Sequence, residues 1–304
     1  MAKRTGTKQK KTASKARAAK ATPKKVVSTT KPSEEAVVLA PKVTPTKTPL
    51  GSLNKWNFWL AGLHAAQGII VLLLSTTKVF PIQTSYQTLD PIATQITGKS
   101  VFDTATRHLF DINLAYLVAA FFFIAAITHL LLATAYRSRY EANLGRGTNK
   151  ARWIETGLST GTMLVAIGVL SGICDISTLL LIFVLSLIMG LAKLAMEIYN
   201  QGKPTINWLA YIIGAIAGIA PWFVLVFYLY AANVFGSSNV AGYLYGIYAS
   251  LFILSAGFAV NMYLQYKKVG KWKDPVYGER AYMILSLAAK TALAWQIFAG
   301  VLRP

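Results

Sequence analysis

The sequence predicts an all-α membrane protein whose chain crosses the bilayer as seven helices. Hydrophobic residues make up 54% of its 304 residues and charged residues only 14%, a balance typical of proteins with several membrane spans. After residue 53 the chain contains seven apolar stretches, each close to the roughly 20 residues that a helix needs to cross a bilayer. We therefore assign residues 54–304 to one seven-helix membrane domain.

The seven predicted spans follow one another with mostly short connections. They are Trp56–Ser75, Asp111–Tyr136, Trp153–Cys174, Thr178–Tyr199, Trp208–Ala232, Val240–Tyr266 and Glu279–Leu302. The one long connection covers about residues 76–110 and alternates polar with β-branched positions. That alternation predicts a small β-hairpin at the membrane surface.

Residues 1–53 are predicted to form a disordered basic tail. Residues 1–50 hold 13 Lys and Arg against Glu34 and Glu35, a net charge of +11, and contain no aromatic residue. So little apolar surface does not offset the entropy lost on ordering the chain. The charge suits either anionic lipid headgroups or the phosphates of a nucleic acid.

The distribution of Lys and Arg predicts the orientation. If the N-terminus is cytoplasmic, the inner side holds the tail and twelve further Lys and Arg residues, and the outer side holds only Lys78, Lys99, Arg107 and Arg303. Cytoplasmic loops carry the excess of positive charge in membrane proteins. We therefore expect a multi-pass protein of the cell membrane with the N-terminus inside, and with the C-terminus and the 76–110 loop outside.

Lys290 is the most informative single residue, because it lies about twelve residues from either end of the last apolar span. A lysine at the bilayer centre costs at least about 2.5–3.5 kcal/mol, so it marks a functional site and requires a partner. A buried amine is also easier to deprotonate, which suits it to form a Schiff base with an aldehyde. Glu155 is the carboxylate best placed to serve it, whereas Lys193 and Glu197, four residues apart, are expected to pair with each other.

Other polar residues are expected in one layer with Glu155, on the cytoplasmic side of Lys290. They are His64, Gln67, His129 and Ser159. Such residues satisfy one another by hydrogen bonds, directly or through water. Each histidine is either a proton acceptor that works near neutral pH or an ordinary core histidine bonded to a neighbouring helix.

Several segments resemble heliorhodopsins, seven-helix proteins with a cytoplasmic N-terminus. The resemblance rests on Leu63-His64-Ala-Ala-Gln67-Gly, on Trp153-Ile-Glu155 and on the segment around Lys290 from Gly278 to Gly300, and it extends from Leu53 to the C-terminus. It implies a rhodopsin-like bundle that binds retinal, all-trans in the dark. It further implies a Schiff base at Lys290, Glu155 as the counterion and a homodimer.

The resemblance also implies roles for other residues. Light would move the Schiff-base proton toward the cluster of His64, Gln67 and His129, while Ser159, Ser286 and Trp295 would lie at the retinal site. Trp222 and Tyr248 are further candidates for the pocket, although each aromatic is as easily explained by core or lipid packing. For the dimer, residues 214–218 (Gly-Ala-Ile-Ala-Gly) offer a small-residue face suited to close helix packing.

Three functions remain open. Pumping rhodopsins carry a second carboxylate one turn before the Schiff-base lysine, where this chain has Ser286. A transmembrane proton path needs groups that hold the proton in turn, so a light sensor is favoured over a light-driven proton or ion transporter. A non-photochemical protein with a buried Lys290–Glu155 ion pair is the third alternative. We expect neither enzymatic activity nor a metal site, and the sequence identifies no signalling partner.

Overall fold

The computed structural model describes residues 51–304, so the predicted tail lies outside the described residues except for Gly51–Leu53. The described part of the chain contains nine α-helices, two β-strands and a C-terminal π-helical turn at Phe298–Leu302. The helices are α1 (Gly51–Leu74), α2 (Pro91–Thr97), α3 (Leu114–Ala133), α4 (Arg137–Gly145), α5 (Lys150–Leu170), α6 (Ile176–Tyr199), α7 (Leu209–Phe235), α8 (Gly242–Tyr266) and α9 (Pro275–Ile297). The strands are β1 (Val79–Leu89) and β2 (Phe102–Asn113).

Seven of these helices, α1, α3 and α5–α9, are long and apolar enough to cross a membrane. They pack side by side in the order α1, α3, α5, α6 and α7, while α9 contacts both α8 and α1. Large apolar side chains such as Trp59, Leu73 and Phe227 point away from the bundle and are exposed. A soluble protein rarely exposes so much contiguous apolar surface, so these side chains suit contact with lipid. The predicted seven-helix fold is confirmed.

The connection between α1 and α3 forms the predicted hairpin. Strands β1 and β2 pair antiparallel from Val79–Asn113 to Leu89–Phe102, and α2 joins them. The backbone N–H of Gln83 donates to the carbonyl of Cys174 at 2.9 Å, which fixes the hairpin to the turn between α5 and α6. We call this end of the bundle the hairpin face, and the end where α1 begins the N-terminal face.

Small residues allow α6 to pack closely on both of its neighbours. A Cβ at Gly190 would lie 2.5 Å from the carbonyl oxygen of Trp153, so only glycine permits this approach of α6 to α5. On the other side, a Cβ at Gly218 would lie 2.7 Å from Sδ of Met189. Gly214 likewise faces Ala192. The small-residue face at 214–218, expected at a dimer contact, therefore packs against α6 within the chain.

Capping residues move two helix starts away from the predicted positions. Asn149 accepts a hydrogen bond from the Arg152 N–H, and α5 begins at Lys150 rather than at Trp153. The carboxylate of Asp274 accepts from the Val276 N–H, and Pro275 occupies the first turn of α9. Hydropathy misses such polar first turns, whereas caps identify them. As a consequence Glu279 lies inside α9 and not at its end.

Candidate functional site

Lys290 and Glu155 form a buried ion pair between α9 and α5. Nζ of Lys290 lies 2.9 Å from Oε1 of Glu155, and the two residues are only 3% and 6% exposed. Removing two charges from water costs several kcal/mol each unless geometry and hydrogen bonds compensate. The proximity expected from the sequence is therefore present, and each group is the nearest partner for the charge of the other.

Two serines, each one helical turn from a member of the pair, complete the arrangement. Ser159 donates through Oγ to Oε1 of Glu155 at 2.6 Å, and Nζ of Lys290 donates to Oγ of Ser286 at 2.6 Å. Residues four apart lie on the same helix face, so each serine is positioned by its own helix. The carboxylate and the amine are thus each oriented by a second partner.

A cavity opens beside this pair, between α5, α6, α7, α8 and α9. The space between its lining atoms is about 650 Å³, part of it open to the surroundings. Both Lys290 and Ser286 lie in its wall, together with mostly apolar side chains that include Trp222, Met163 and Leu251. Sites for small organic ligands are typically lined by apolar side chains with a few polar groups among them. An amine at the wall of such a cavity suits an apolar aldehyde.

The heliorhodopsin family model matches residues 53–302. The chain belongs to the heliorhodopsin family. It is therefore a multi-pass membrane protein of the rhodopsin type, light-responsive and with a retinal chromophore. The cavity fits this group, because retinal is a long apolar aldehyde and the buried Nζ of Lys290 lies in the cavity wall. Comparison with curated proteins finds no match.

The two predicted histidines lie side by side in this heliorhodopsin. The rings of His64 on α1 and His129 on α3 stack with their centroids 5.7 Å apart. Nδ1 of His129 lies 2.8 Å from Oδ1 of Asn57, whereas neither ring nitrogen of His64 has a hydrogen-bond partner within residues 51–304. A second cavity is lined by both His129 and Glu155, so this histidine lies near the carboxylate that contacts Lys290.

Three other predicted residues have different surroundings from those expected. Gln67 bonds to α9 rather than to the histidines, because its Oε1 accepts from Thr291 Oγ1 at 3.0 Å and from Trp295 Nε1 at 3.2 Å. The Trp295 ring therefore faces Gln67 and does not line the cavity. Tyr248 donates to the Leu225 carbonyl at 2.9 Å and packs edge-on against Trp222. Of the predicted aromatics, the cavity wall contains Trp222 alone.

A second ionic cluster, absent from the sequence prediction, lies toward the N-terminal face. Its centre is Arg152, whose guanidinium bonds to Glu197 of α6 and to Glu279 of α9. Asn149 donates to both carboxylates, from its backbone N–H to Glu197 at 2.7 Å and from its side chain to Glu279 at 2.6 Å. We call these four residues and Tyr140 the Arg152 cluster.

Tyr140 connects this cluster to α4. Its hydroxyl donates to Oε1 of Glu279 at 3.4 Å. Burial raises the pKa of Tyr140 well above its usual range, so the hydroxyl keeps its proton and remains a donor. The signal in the sequence that points to the cluster is the capping Asn149 three residues before Arg152, which places the arginine inside a helix.

The cluster also changes the expected partner of Glu197. We predicted a Lys193–Glu197 pair, but Glu197 binds Arg152 and the Asn149 N–H. Arginine presents several donors in a planar fork, so it is a better partner than lysine for a buried carboxylate on a neighbouring helix. Lys193 instead lies beside the rings of Trp153 and Phe258, with Nζ 5.5 and 5.7 Å from their centroids.

Proposed function

We propose that this heliorhodopsin is a light sensor in which Nζ of Lys290 holds all-trans retinal as a Schiff base and Glu155 is its counterion. The observation that carries the proposal is the buried 2.9 Å contact between Lys290 Nζ and Glu155 Oε1 at the cavity. When bound, retinal supplies visible absorption and isomerises, from all-trans to 13-cis, when it absorbs light.

The residues around Nζ fix its charge and direction. Glu155 balances the positive charge at Nζ, and a carboxylate this close favours the protonated form. Ser159 holds the carboxylate through Oε1, while Ser286 accepts from Nζ of the free amine. A Schiff-base nitrogen carries one N–H, so it donates to one partner at a time. A movement of Nζ by a few ångström breaks its contact with Glu155, because a hydrogen bond weakens steeply with distance and angle.

We further propose that the proton at Nζ moves toward His129 and His64. His129 lines a cavity together with Glu155, and Asn57 holds its Nδ1. Imidazole accepts a proton near neutral pH. Proton transfer to His129 places a new positive charge beside the Arg152 cluster, since Arg152 and Glu279 line the same cavity as His129. That coupling gives the N-terminal face a means of responding to light.

Sensing is favoured over transport by the distribution of buried carboxylates. Among residues 51–304 the buried acidic side chains are Glu155, Glu197 and Glu279. All three lie near the ends of their helices at the N-terminal face. A proton path through the membrane needs exchangeable groups on both sides of Lys290. A light-driven transporter remains the alternative that the experiments below exclude or support.

The membrane orientation belongs to the same proposal. The excess of Lys and Arg at the N-terminal face favours a cytoplasmic N-terminus in the cell membrane, with the hairpin outside. Trypsin added to intact cells would then leave the Lys-rich tail uncut and digest it after lysis. Cleavage of the tail in intact cells would reverse the assignment. A homodimer, and contact of the tail with anionic lipid or nucleic acid, are further expectations.

The test of the function is an absorption spectrum after all-trans retinal is added to membranes that contain the protein. We expect a visible band for the native chain and none for Lys290→Ala, whereas an unchanged band in that variant would disprove the attachment site. Illumination of a cell suspension distinguishes sensor from transporter. A sustained pH change that a protonophore abolishes would establish transport.

A further inference from the structure

A second buried amine lines the same cavity as Lys290. Lys193 on α6 is 6% exposed and forms part of the cavity wall. Among residues 51–304, no carboxylate oxygen lies within 4.0 Å of its Nζ, because Glu197 is engaged by Arg152. A lysine within a membrane span without such a partner is costly, which is why its role requires an explanation.

Lys193 and Lys290 lie on opposite walls of the cavity. Lys290 is on α9, whose neighbours in the bundle include α1 and α8, whereas Lys193 is on α6, between α5 and α7. A Cβ at Gly214 of α7 would lie 3.9 Å from Cγ of Lys193, which places the lysine stem beside α7. A chromophore attached at Lys290 and extending away from α9 across the cavity would approach α6.

The charge balance of the buried groups indicates that Lys193 is protonated. Arg152 is shared by two carboxylates, Glu197 and Glu279, and this set of three carries one net negative charge. Lys290 and Glu155 balance each other. With Lys193 protonated, the buried ionic groups are neutral as a whole. Lys193 then interacts with the carboxylates over more than 4.0 Å and not by a direct contact. Burying an uncompensated charge is strongly unfavourable, so this charge balance favours the protonated form of Lys193.

We propose that Lys193 is a fixed positive charge that sets the absorption wavelength of the bound chromophore. The proposal rests on the proposed function, that is, on retinal held at Lys290. When a protonated Schiff base of retinal absorbs light, its positive charge shifts from the nitrogen along the polyene. An ammonium on the opposite wall opposes that shift, because like charges repel most strongly in a medium of low dielectric constant. Lys193 therefore moves the band to shorter wavelength.

The test compares absorption maxima of reconstituted variants. Lys193→Met removes the charge and keeps the length of the side chain, so we expect its band at longer wavelength than that of the native chain. Lys193→Arg keeps the charge and is expected to shift the band less. The matched control is Lys203→Met, because Lys203 is exposed and packs on the Tyr199 ring away from the cavity. Its band is expected to remain at the native position.

A shortened chromophore locates the effect along the polyene. With a retinal analogue whose conjugation ends a few bonds from the aldehyde, the shift caused by Lys193→Met is expected to disappear, because no charge moves toward α6. If the shift persists, the charge acts near Lys290 and the proposal is wrong. Should Lys193→Met fail to fold, Lys193→Gln gives the same comparison.

The remaining outcomes are also decisive. Equal absorption maxima in the native chain and in Lys193→Met would overturn the proposal. So would an absorption maximum of the native chain that changes when chloride is replaced by gluconate, if Lys193→Met shows no such change. Lys193 would then act by holding an anion. Failure of the proposed function has a different signature. In that case the native chain shows no visible band, or Lys290→Ala retains one.

Discussion

The two buried ionic groups of this heliorhodopsin are built in different ways. Lys290 and Glu155 are one cation and one carboxylate on two helices, each with a single serine as its second partner. The Arg152 cluster holds one cation between two carboxylates and adds donors from Asn149 and Tyr140, so it connects α4, α5, α6 and α9. Each group has one member on α5, and these two residues, Arg152 and Glu155, lie about one helical turn apart.

This difference indicates a division of labour. A pair with few partners is disrupted when one atom moves, which suits a group whose charge changes with light. A cluster in which every member has several partners keeps its arrangement when one contact is lost. We infer that the Arg152 cluster holds the helices while the Lys290 pair changes state. Substitutions in the two groups test that distinction.

The largest effect is expected from Arg152→Met. This change leaves Glu197 and Glu279 buried without their cation, and breaking a buried ionic group in this way typically costs about 3–5 kcal/mol. The measurement is the temperature at which the visible band is lost on heating. Arg146→Met is the control, since Arg146 is exposed on the same face. Equal melting temperatures for the two variants would show that the cluster does not stabilise the fold.

Glu155→Gln is expected to lower the melting temperature less than Arg152→Met does. It is expected to change the absorption spectrum more than any other substitution in the two groups. One charge is left without its counterion, and glutamine retains the shape of the side chain. The band is expected to move to longer wavelength, because the counterion no longer favours positive charge at the nitrogen. Glu279→Gln serves as the comparison in the Arg152 cluster and is expected to leave the band in place. A shift in Glu279→Gln and none in Glu155→Gln would identify Glu279 as the counterion.

The two histidines are expected to respond differently to the same substitution. His129→Phe leaves the Asn57 amide oxygen without its partner, and an unsatisfied buried group costs about 1–3 kcal/mol. His64→Phe removes ring nitrogens that have no partner within residues 51–304, so it leaves no group unsatisfied and is expected to cost less than His129→Phe. Thermal loss of the visible band measures both. A larger loss in His64→Phe would show that His64 holds buried water.

The smallest effect is expected from Ser159→Ala. It removes one donor to Oε1 of Glu155 but leaves Lys290 in place, and one hydrogen bond contributes about 1 kcal/mol. The band is expected to shift in the same direction as in Glu155→Gln, by less. Ser171→Ala is the matched control, because Ser171 lies at the hairpin end of α5 and bonds to Tyr248. An opposite shift in Ser159→Ala would mean that Ser159 does not hold the counterion.

Hydropathy and the rarity of charge predicted the fold and the centre of the site. Seven apolar stretches are long enough to specify seven spans, and Lys290 stands out because a charge in the middle of such a stretch is uncommon. The hairpin between α1 and α3 was also predicted from alternation and length. These features depend on local sequence alone, and each is present in the structure.

The Arg152 cluster was not predicted, because its members fall near the ends of apolar stretches. Arg152 was counted as a loop residue and Glu279 as the start of a span, so neither was recognised as buried. The pairing of Lys193 with Glu197 was wrong for a related reason. Spacing along one helix predicts a local pair, but a residue on another helix with better geometry takes the carboxylate. Such competition depends on the tertiary arrangement and not on the spacing.

The most direct test of the account is to locate the covalent attachment itself. Retinal-loaded protein is reduced with borohydride, which converts a Schiff base into a stable amine, and is then digested and examined by mass spectrometry. We expect retinyl mass on the peptide that contains Lys290 and none on the peptide that contains Lys193, although both amines line the cavity. Label on Lys193, or on another lysine with Lys290 unmodified, would contradict it.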